Sequence, residues 1–390
     1  MKSILRGRRI GVCLSGGGFR AALFHLGALR RLNEAGLLSR VSTFSSVSGG
    51  SILNAALAVA WPELERDRSG VFLNFRELVE QPVRSLCSRD IRTWPLLWGR
   101  LVPWNWWGFA FRGESATTLL AREYDRHLLH GARLGLLSLL ARRAGPTFVL
   151  CAACLETGVN FELGSHRVGD YKVGYTQARD LPLADAVAAS SSFPAAFPPY
   201  TFDLAGRRMR GGSLRFGPGG PPVRKLLLTD GGVYDNLGLE PVWKTHDVIF
   251  VSDAGAAFQT WQGVFPSFIA RLLRTQKVVQ NQARAVRKRW LMEGYNAGRF
   301  AGAYWGLGTD IAGYATGVHG YRGETLQAIC SVRTDLNRFA EGEQLVLMNH
   351  GWQLARAALR RHAAGAPDPA GAPPSPPLLS PAAALRALRR

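Results

Sequence analysis

Ile10-Gly-Val-Cys-Leu-Ser-Gly-Gly-Gly-Phe-Arg20 decides how this chain folds. From Ile10 to Leu14 every residue is apolar or glycine, the mark of a short strand buried on both faces. Ser15 and three glycines follow, and then Phe19, Leu23, Leu26, Leu29 and Leu32 recur at helical spacing. Strand, glycine turn and helix thus follow in immediate succession, and Gly36 supplies a C-cap. Working outward, Val41-Ser-Thr-Phe-Ser-Ser46 reads as a second strand that leads through Ser48-Gly-Gly-Ser51 into an apolar helix from Ile52 to Trp61. A βαβα unit with tight turns predicts a parallel sheet covered by helices. Thr147–Leu155, Lys225–Thr229 and Asp247–Ser252 are further buried-strand candidates, each with glycine or acidic residues near its end. One α/β sandwich fits them better than two domains.

Composition agrees with a folded globular chain. Of 390 residues, 47% are apolar and 19% charged, which separates the sequence from disordered ones. Lys and Arg number 48 against 28 Asp and Glu, a formal charge of +20 carried mostly by arginine. Such a balance attracts acidic partners: anionic lipid headgroups, nucleic acid or acidic proteins. No nucleic-acid recognition motif accompanies the arginines, so specific nucleic-acid binding is not expected. Cys13, Cys87, Cys151, Cys154 and Cys330 form a sparse, odd set without disulfide spacing, which favours a reducing compartment. Cys151 and Cys154 lie three apart on a predicted strand and so point to opposite faces, against a redox or metal pair. After Arg6, Arg8 and Arg9 the apolar run is too short for a signal-peptide core, and no apolar stretch reaches membrane-spanning length. A cytoplasmic chain, at most peripheral to a membrane, is the expectation.

Three pieces carry chemistry. Ser48 stands in Ser46-Val-Ser48-Gly-Gly50 at a strand-to-helix junction, where a sharp turn pushes a hydroxyl out of the sheet and aims a helix dipole at developing negative charge. The usual elbow pattern G-x-S-x-G has glycine where Ser46 stands, and Ser-Gly-Gly-Ser also occurs in plain turns. Gly16, Gly17 and Gly18 let backbone N–H groups converge, which suits either a tetrahedral oxyanion or a phosphate. Gly16-x-Gly18-x-x-Ala21 also satisfies a dinucleotide fingerprint, but the next strand ends in serines rather than the acidic residue that reading requires. Asp230 follows the strand Lys225–Leu228 in Thr229-Asp-Gly-Gly232 and is expected at the same edge of a parallel sheet as Ser48 and the glycine turn.

In order and spacing these three pieces resemble the patatin-like phospholipases, within the patatin and cytosolic phospholipase superfamily. Phe24-His-Leu-Gly27, Ala152-Ala-Cys-Leu-Glu-Thr-Gly158, Leu183–Pro194 with Phe197-Pro-Pro199, and Asp230-Gly-Gly-Val-Tyr-Asp-Asn236 extend the resemblance across about Ile10 to Gly255. It implies a three-layer α/β/α sandwich with a mainly parallel central sheet, over residues 1–362 with a motif core at 10–255 and a helical extension at 256–362. It implies a lipid acyl hydrolase of the phospholipase A or lysophospholipase kind, without metal or cofactor. Ser48 is then the nucleophile, Asp230 its base, Gly16, Gly17 and Gly18 the oxyanion hole, and Arg20 a contact for a phosphate headgroup. The substrate is an acyl lipid or phospholipid, met at an anionic membrane surface.

Alternatives stay open at this point. His246 and His319 follow Asp230 in the chain order of a Ser-Asp-His esterase or thioesterase. A non-catalytic membrane-binding protein on the same fold is a further reading, although it has no need of all three motifs. Trp94, Trp98, Trp104, Trp106 and Trp107 suggest a lid or interfacial anchor at 94–111. From Ala363 the composition shifts to Ala, Pro, Gly and Ser, which predicts a disordered tail over 363–390.

Overall fold

Alternate residues of the first strand enter two different cores. Ile10, Val12 and Leu14 of β1 (Ile10–Leu14) join a large cluster on one side, while Cys13 joins Leu237, Leu239, Val242, Ile249 and Val251 on the other. Period-two alternation with both faces apolar requires cover on both faces of the sheet, and that gives three layers. The computed structural model describes residues 7–101, 115–194, 196–214, 224–255, 258, 260, 263, 267–363 and 378–389.

Along the chain β1 is followed by α1 (Gly18–Glu34), β2 (Thr43–Val47) and α2 (Gly49–Ala60). Helices α3 (Gln81–Cys87), α4 (Thr93–Leu101), α5 (Ala116–Tyr124) and α6 (Gly135–Arg142) precede β3 (Thr147–Cys154). Then come β4 (Val159–Gly164), β5 (Val168–Asp170), β6 (Gly174–Thr176), α7 (Leu183–Ser191), β7 (Tyr200–Asp203), β8 (Lys225–Asp230) and the single turn α8 (Gly232–Asp235). The chain continues through β9 (Val248–Asp253), α9 (Phe268–Asn296), β10 (Ala301–Gly306), α10 (Gly323–Ser331), α11 (Glu341–His362) and α12 (Pro381–Leu388).

Strands β10, β9, β1, β2 and β3 are parallel neighbours in that order. Antiparallel strands β4, β5 and β6 extend the sheet beyond β3, and β8, with β7 beside it, pairs antiparallel to the last residues of β3. The expected sandwich is present, with a parallel centre and a mixed periphery. One step of the sequence reading is corrected: Asp230 ends an antiparallel strand, not a strand of the parallel set.

The chain after Gly255 is also more than a helical extension, because β10 completes the sheet beside β9. Helix α11 crosses α1 where Gly27 and Gly351 allow backbones to touch. A Cβ at Gly27 would lie 1.9 Å from the Met348 carbonyl oxygen, and one at Gly351 2.0 Å from that of Phe24. Within the stretch expected to lack order, α12 forms a helix. Its Ala384 is buried, Arg389 pairs with Glu324 at 2.9 Å, and the Leu379 carbonyl accepts from Tyr321 Oη at 3.0 Å. Of the tryptophan-rich stretch, Trp94 is exposed on α4, whereas residues 102–114 with Trp104, Trp106 and Trp107 lie outside the described residues.

Candidate active site

Ser48 follows β2 and precedes α2 in a conformation that few side-chain-bearing residues adopt, φ 52° and ψ −122°. Strain of this kind persists only when its surroundings hold it. Its backbone N–H donates to the Ser190 carbonyl at 3.2 Å and lies 3.0 Å from Ser190 Oγ. Gly49 and Gly50 remove the Cβ atoms that would otherwise strike the Gly18 and Leu14 carbonyls at 2.0 and 2.4 Å. Ser46, in the position of the elbow's first glycine, finds a use below the turn. Its hydroxyl lies 3.0 Å from Ser51 Oγ, donates to the Val149 carbonyl at 3.3 Å and accepts from Asn54 Nδ2 at 2.8 Å.

Asp230 reaches the same place from the opposite direction. Val47 is in register with Cys151 and Asp230 with Ala152, so β2 and β8 run toward each other along β3 and end side by side. The Asp230 N–H donates to the Ser192 carbonyl at 3.1 Å, and its Oδ1 accepts from Gly232 N at 2.7 Å. Burial raises the Asp230 pKa to about 6, against the opposing pull of hydrogen bonds from the Ser48 side chain and the Gly232 N–H. The Ser48 side chain thus lies near enough to Asp230 to favour its ionised form, and a carboxyl with this raised pKa can exchange a proton near neutral pH.

The glycine turn divides its duties. Gly17 (φ 144°) and Gly18 (φ 57°) hold conformations that disfavour side chains. The Gly16 N–H donates to the Asn236 carbonyl at 3.2 Å, and a Cβ at Gly16 would meet Asn236 Oδ1 at 2.5 Å. Gly16 is thus a packing glycine whose donor is already spent, which corrects its expected place in the oxyanion hole. Among the described residues no acceptor serves the N–H groups of Gly17, Gly18 or Gly49. These flank Ser48 at the N-termini of α1 and α2, where backbone dipoles favour negative charge.

Arg20 also differs from expectation. It is 1% exposed, and Nη1 donates to the Val332 carbonyl at 2.7 Å while Nη2 donates to that of Ala254 at 2.8 Å. Burial lowers its pKa to about 10. The guanidinium ties the loops after β9 and α10 to the glycine turn, and the side chain lines the cavity beside Ser48. No histidine lines the cavity among the described residues. His246 lies at the far end of the sheet, with Nε2 2.9 Å from Thr43 Oγ1, and His319 is exposed. His25 is buried beneath the glycine turn. Its Nε2 donates to the Ser15 carbonyl at 2.9 Å, which leaves Nδ1 to accept from Ser252 Oγ at 2.7 Å, and burial lowers its pKa to about 4.

A cavity of about 600 Å³ opens over Ser48 and Asp230. Its walls include Phe193 and Phe197 near α7, Lys277 and Arg284 on α9, and Arg333 and Asp335 after α10. Arg92 pairs with Asp335, and Arg333 with Glu343 at 2.5 Å. Sequence reasoning missed the Asn236 anchor, the Ser190 and Ser192 carbonyls, and every wall residue after Gly255. A basic spacing of Arg274, Lys277 and Arg284 along one helix was the available signal for α9; the loops offered none. Among the described residues no group of three His, Cys, Asp or Glu side chains is placed to hold a metal ion. The described cysteines are free, and Cys13, Cys87, Cys151 and Cys154 are buried.

The family model described as patatin-like phospholipase matches residues 12–243. Among curated protein sequences none matches the chain. Human GIVD cytosolic phospholipase A2, in complex with methyl gamma-linolenyl fluorophosphonate inhibitor and terbium chloride, shares the fold with a TM-score of 0.52 at 14% identity; the alignment covers 100% of this chain and 62% of that one. Another structure of the human enzyme aligns at TM-score 0.49 and 14% identity, over 93% of this chain and 63% of that one. VipD from Legionella pneumophila aligns at 0.39 and 15% identity, over 91% and 67%. The chain spans less than two thirds of the length of the human protein.

Proposed function

Because this chain belongs to the patatin-like phospholipase family, we propose that it is a lipid acyl hydrolase that works through Ser48 and Asp230 alone. The observation that carries the reading is the meeting in one cavity of a strained serine, a carboxylate with pKa raised to about 6, and the Gly17 and Gly18 N–H groups, which no acceptor serves among the described residues. Asp230 takes the Ser48 proton as Oγ attacks an ester carbonyl, and the carbonyl oxygen becomes an oxyanion. The N–H groups of Gly17, Gly18 and Gly49 stabilise it. Collapse expels the alcohol, which recovers the proton from Asp230, and leaves an acyl group on Ser48. Water deprotonated by Asp230 then attacks the acyl-enzyme, and collapse releases the fatty acid as Asp230 returns the proton to the departing Ser48 Oγ. The histidine alternative is disfavoured by the positions of His246 and His319.

The substrate class is an acyl lipid or phospholipid, and the +20 charge supports approach to an anionic membrane surface. No helix among the described residues is long and apolar enough to cross a membrane. Incubating the wild type and Ser48→Ala with a mixed lipid extract, and identifying released acids and lyso-products, tests the proposal. Identical product profiles would remove it.

A further inference from the structure

Helix α9 carries an exposed apolar stripe that nothing among the described residues covers. Phe268, Leu272, Val279 and Val286 are 70, 58, 62 and 47% exposed. At 3.6 residues per turn they fall within about 40° of one another around the axis, along a length of about 27 Å. Burial of apolar side chains is the ordinary source of helix stability, so such a stripe left in water points to a second phase or a partner.

The rest of the helix explains how the stripe is held outward. Its C-terminal third is anchored: Leu291 is buried, Trp290 packs edge-to-face on Trp243 at 4.6 Å, and Tyr295 Oη donates to the Ile249 carbonyl at 2.7 Å. Arg287 is fixed by Asp235 and Glu240, each at 3.2 Å. The side opposite the stripe faces the cavity through Lys277, Gln280, Asn281 and Arg284. Polar groups thus point inward and apolar ones outward, the reverse of a helix packed on a core. Charge selects the occupant. Seven basic residues, Arg271, Arg274, Lys277, Arg284, Arg287, Lys288 and Arg289, stand against one acidic residue, Glu293. Arg271 and Arg289 are exposed. At 100° per residue both project on one edge of the stripe.

We propose that α9 is an interfacial helix that lies flat on an anionic bilayer, sinking Phe268, Leu272, Val279 and Val286 to the level of the acyl boundary while Arg271 and Arg289 meet the headgroups. A narrow apolar stripe with a basic border is the pattern that binds lipid surfaces in this way. The opposite face of the same helix is a wall of the Ser48 cavity, so docking holds the site within one helix diameter, about 10 Å, of the bilayer. That consequence rests on the lipid-hydrolase reading; the docking itself does not.

Co-sedimentation with phosphatidylcholine vesicles, with and without phosphatidylglycerol, tests docking on the Ser48→Ala background so that hydrolysis cannot alter the vesicles. Binding is expected to anionic vesicles and to weaken at least about tenfold in Leu272→Glu/Val279→Glu and in Arg271→Gln/Arg289→Gln. On the wild-type background the same variants should lose vesicle hydrolysis yet keep turnover of a soluble short-chain ester. Equal binding to both vesicle types, or wild-type binding by either folded variant, overturns the proposal. If the Glu pair fails to fold, the Gln pair decides. A protein partner on this face predicts no vesicle binding, and that result overturns it too. Binding as expected without acid release by the wild type would instead count against the hydrolase reading alone.

Discussion

Ser48 and Asp230 stand where two strands meet head to head: β2 ends at Val47 opposite Cys151, and β8 arrives from the other direction with Asp230 opposite Ala152. A parallel strand would have delivered its last residue one strand spacing, about 4.8 Å, to the side. Head-to-head termination instead places both residues on one line along β3, with the carboxylate beside the hydroxyl. Ser190, Ser191 and Ser192 at the end of α7 fasten the junction. The Ser190 carbonyl and hydroxyl accept from Ser48 N and the Ser192 carbonyl from Asp230 N, while the Ser190 and Ser191 hydroxyls donate to the Cys151 and Val187 carbonyls and Ser191 Oγ lies 3.2 Å from Tyr124 Oη.

If the pair acts as one unit, removing either member should cost about as much as removing both. Ser48→Ala and Asp230→Asn are each expected to lower kcat by at least about 100-fold, and the double variant no further. Rates on a soluble ester, with circular dichroism to confirm the fold, provide the check. A comparable loss in a folded His246→Ala variant would require a different base.

The raised pKa of Asp230 links activity and stability with opposite signs. As a base it works ionised, so kcat/KM should rise with pH through about 6 and level off above. The folded state holds the proton more tightly than the unfolded chain, whose carboxyl titrates near 3.8. Ionisation in the fold is therefore a cost, absent below pH 3.8, growing toward 6 and full above it, on the order of 3 kcal/mol. Asp230→Asn should accordingly raise the thermal midpoint at pH 7.5 and leave it nearly unchanged at pH 3.5. Equal shifts at both pH values would assign the effect to packing.

Arg20→Met separates a clamp from a headgroup contact. As a clamp between Val332 and Ala254, Arg20 holds the far wall of the cavity. Its removal leaves the buried Ala254 carbonyl and the part-buried Val332 carbonyl without this donor, the buried one alone worth about 1–3 kcal/mol. A lower thermal midpoint and a similar loss on phospholipid and on uncharged ester are expected. A loss confined to KM for phosphate-bearing substrates, at unchanged stability, would restore the headgroup role.

Much of this was legible in the chain. The run from Ile10 to Arg20 and the junction at Ser46–Gly50 encode strand, turn and helix locally, because a glycine turn and helical apolar spacing need no distant partner to be read. Ser48 was a candidate from its strand-to-helix junction, and Asp230 from an expected sheet edge and the family resemblance. Gly16 was misread as a donor because its acceptor, the Asn236 carbonyl, lies more than two hundred residues away in sequence. Arg20 was misread because no local pattern tells a guanidinium bound for solvent from one bound for buried carbonyls.

The sequence by itself determined the βαβα opening and the α/β class, since these rest on short-range stereochemistry, and it nominated Ser48 and Asp230 as the candidate pair. Only the tertiary structure decided that β8 runs antiparallel and meets β2 end to end, which N–H groups stay unpaired among the described residues, and that residues beyond the family match, on α9 and after α10, wall the cavity. The physical reason is the same in each case: strand direction, donor satisfaction and cavity walls are pairings between distant segments, and pairing is settled by packing the whole chain at once.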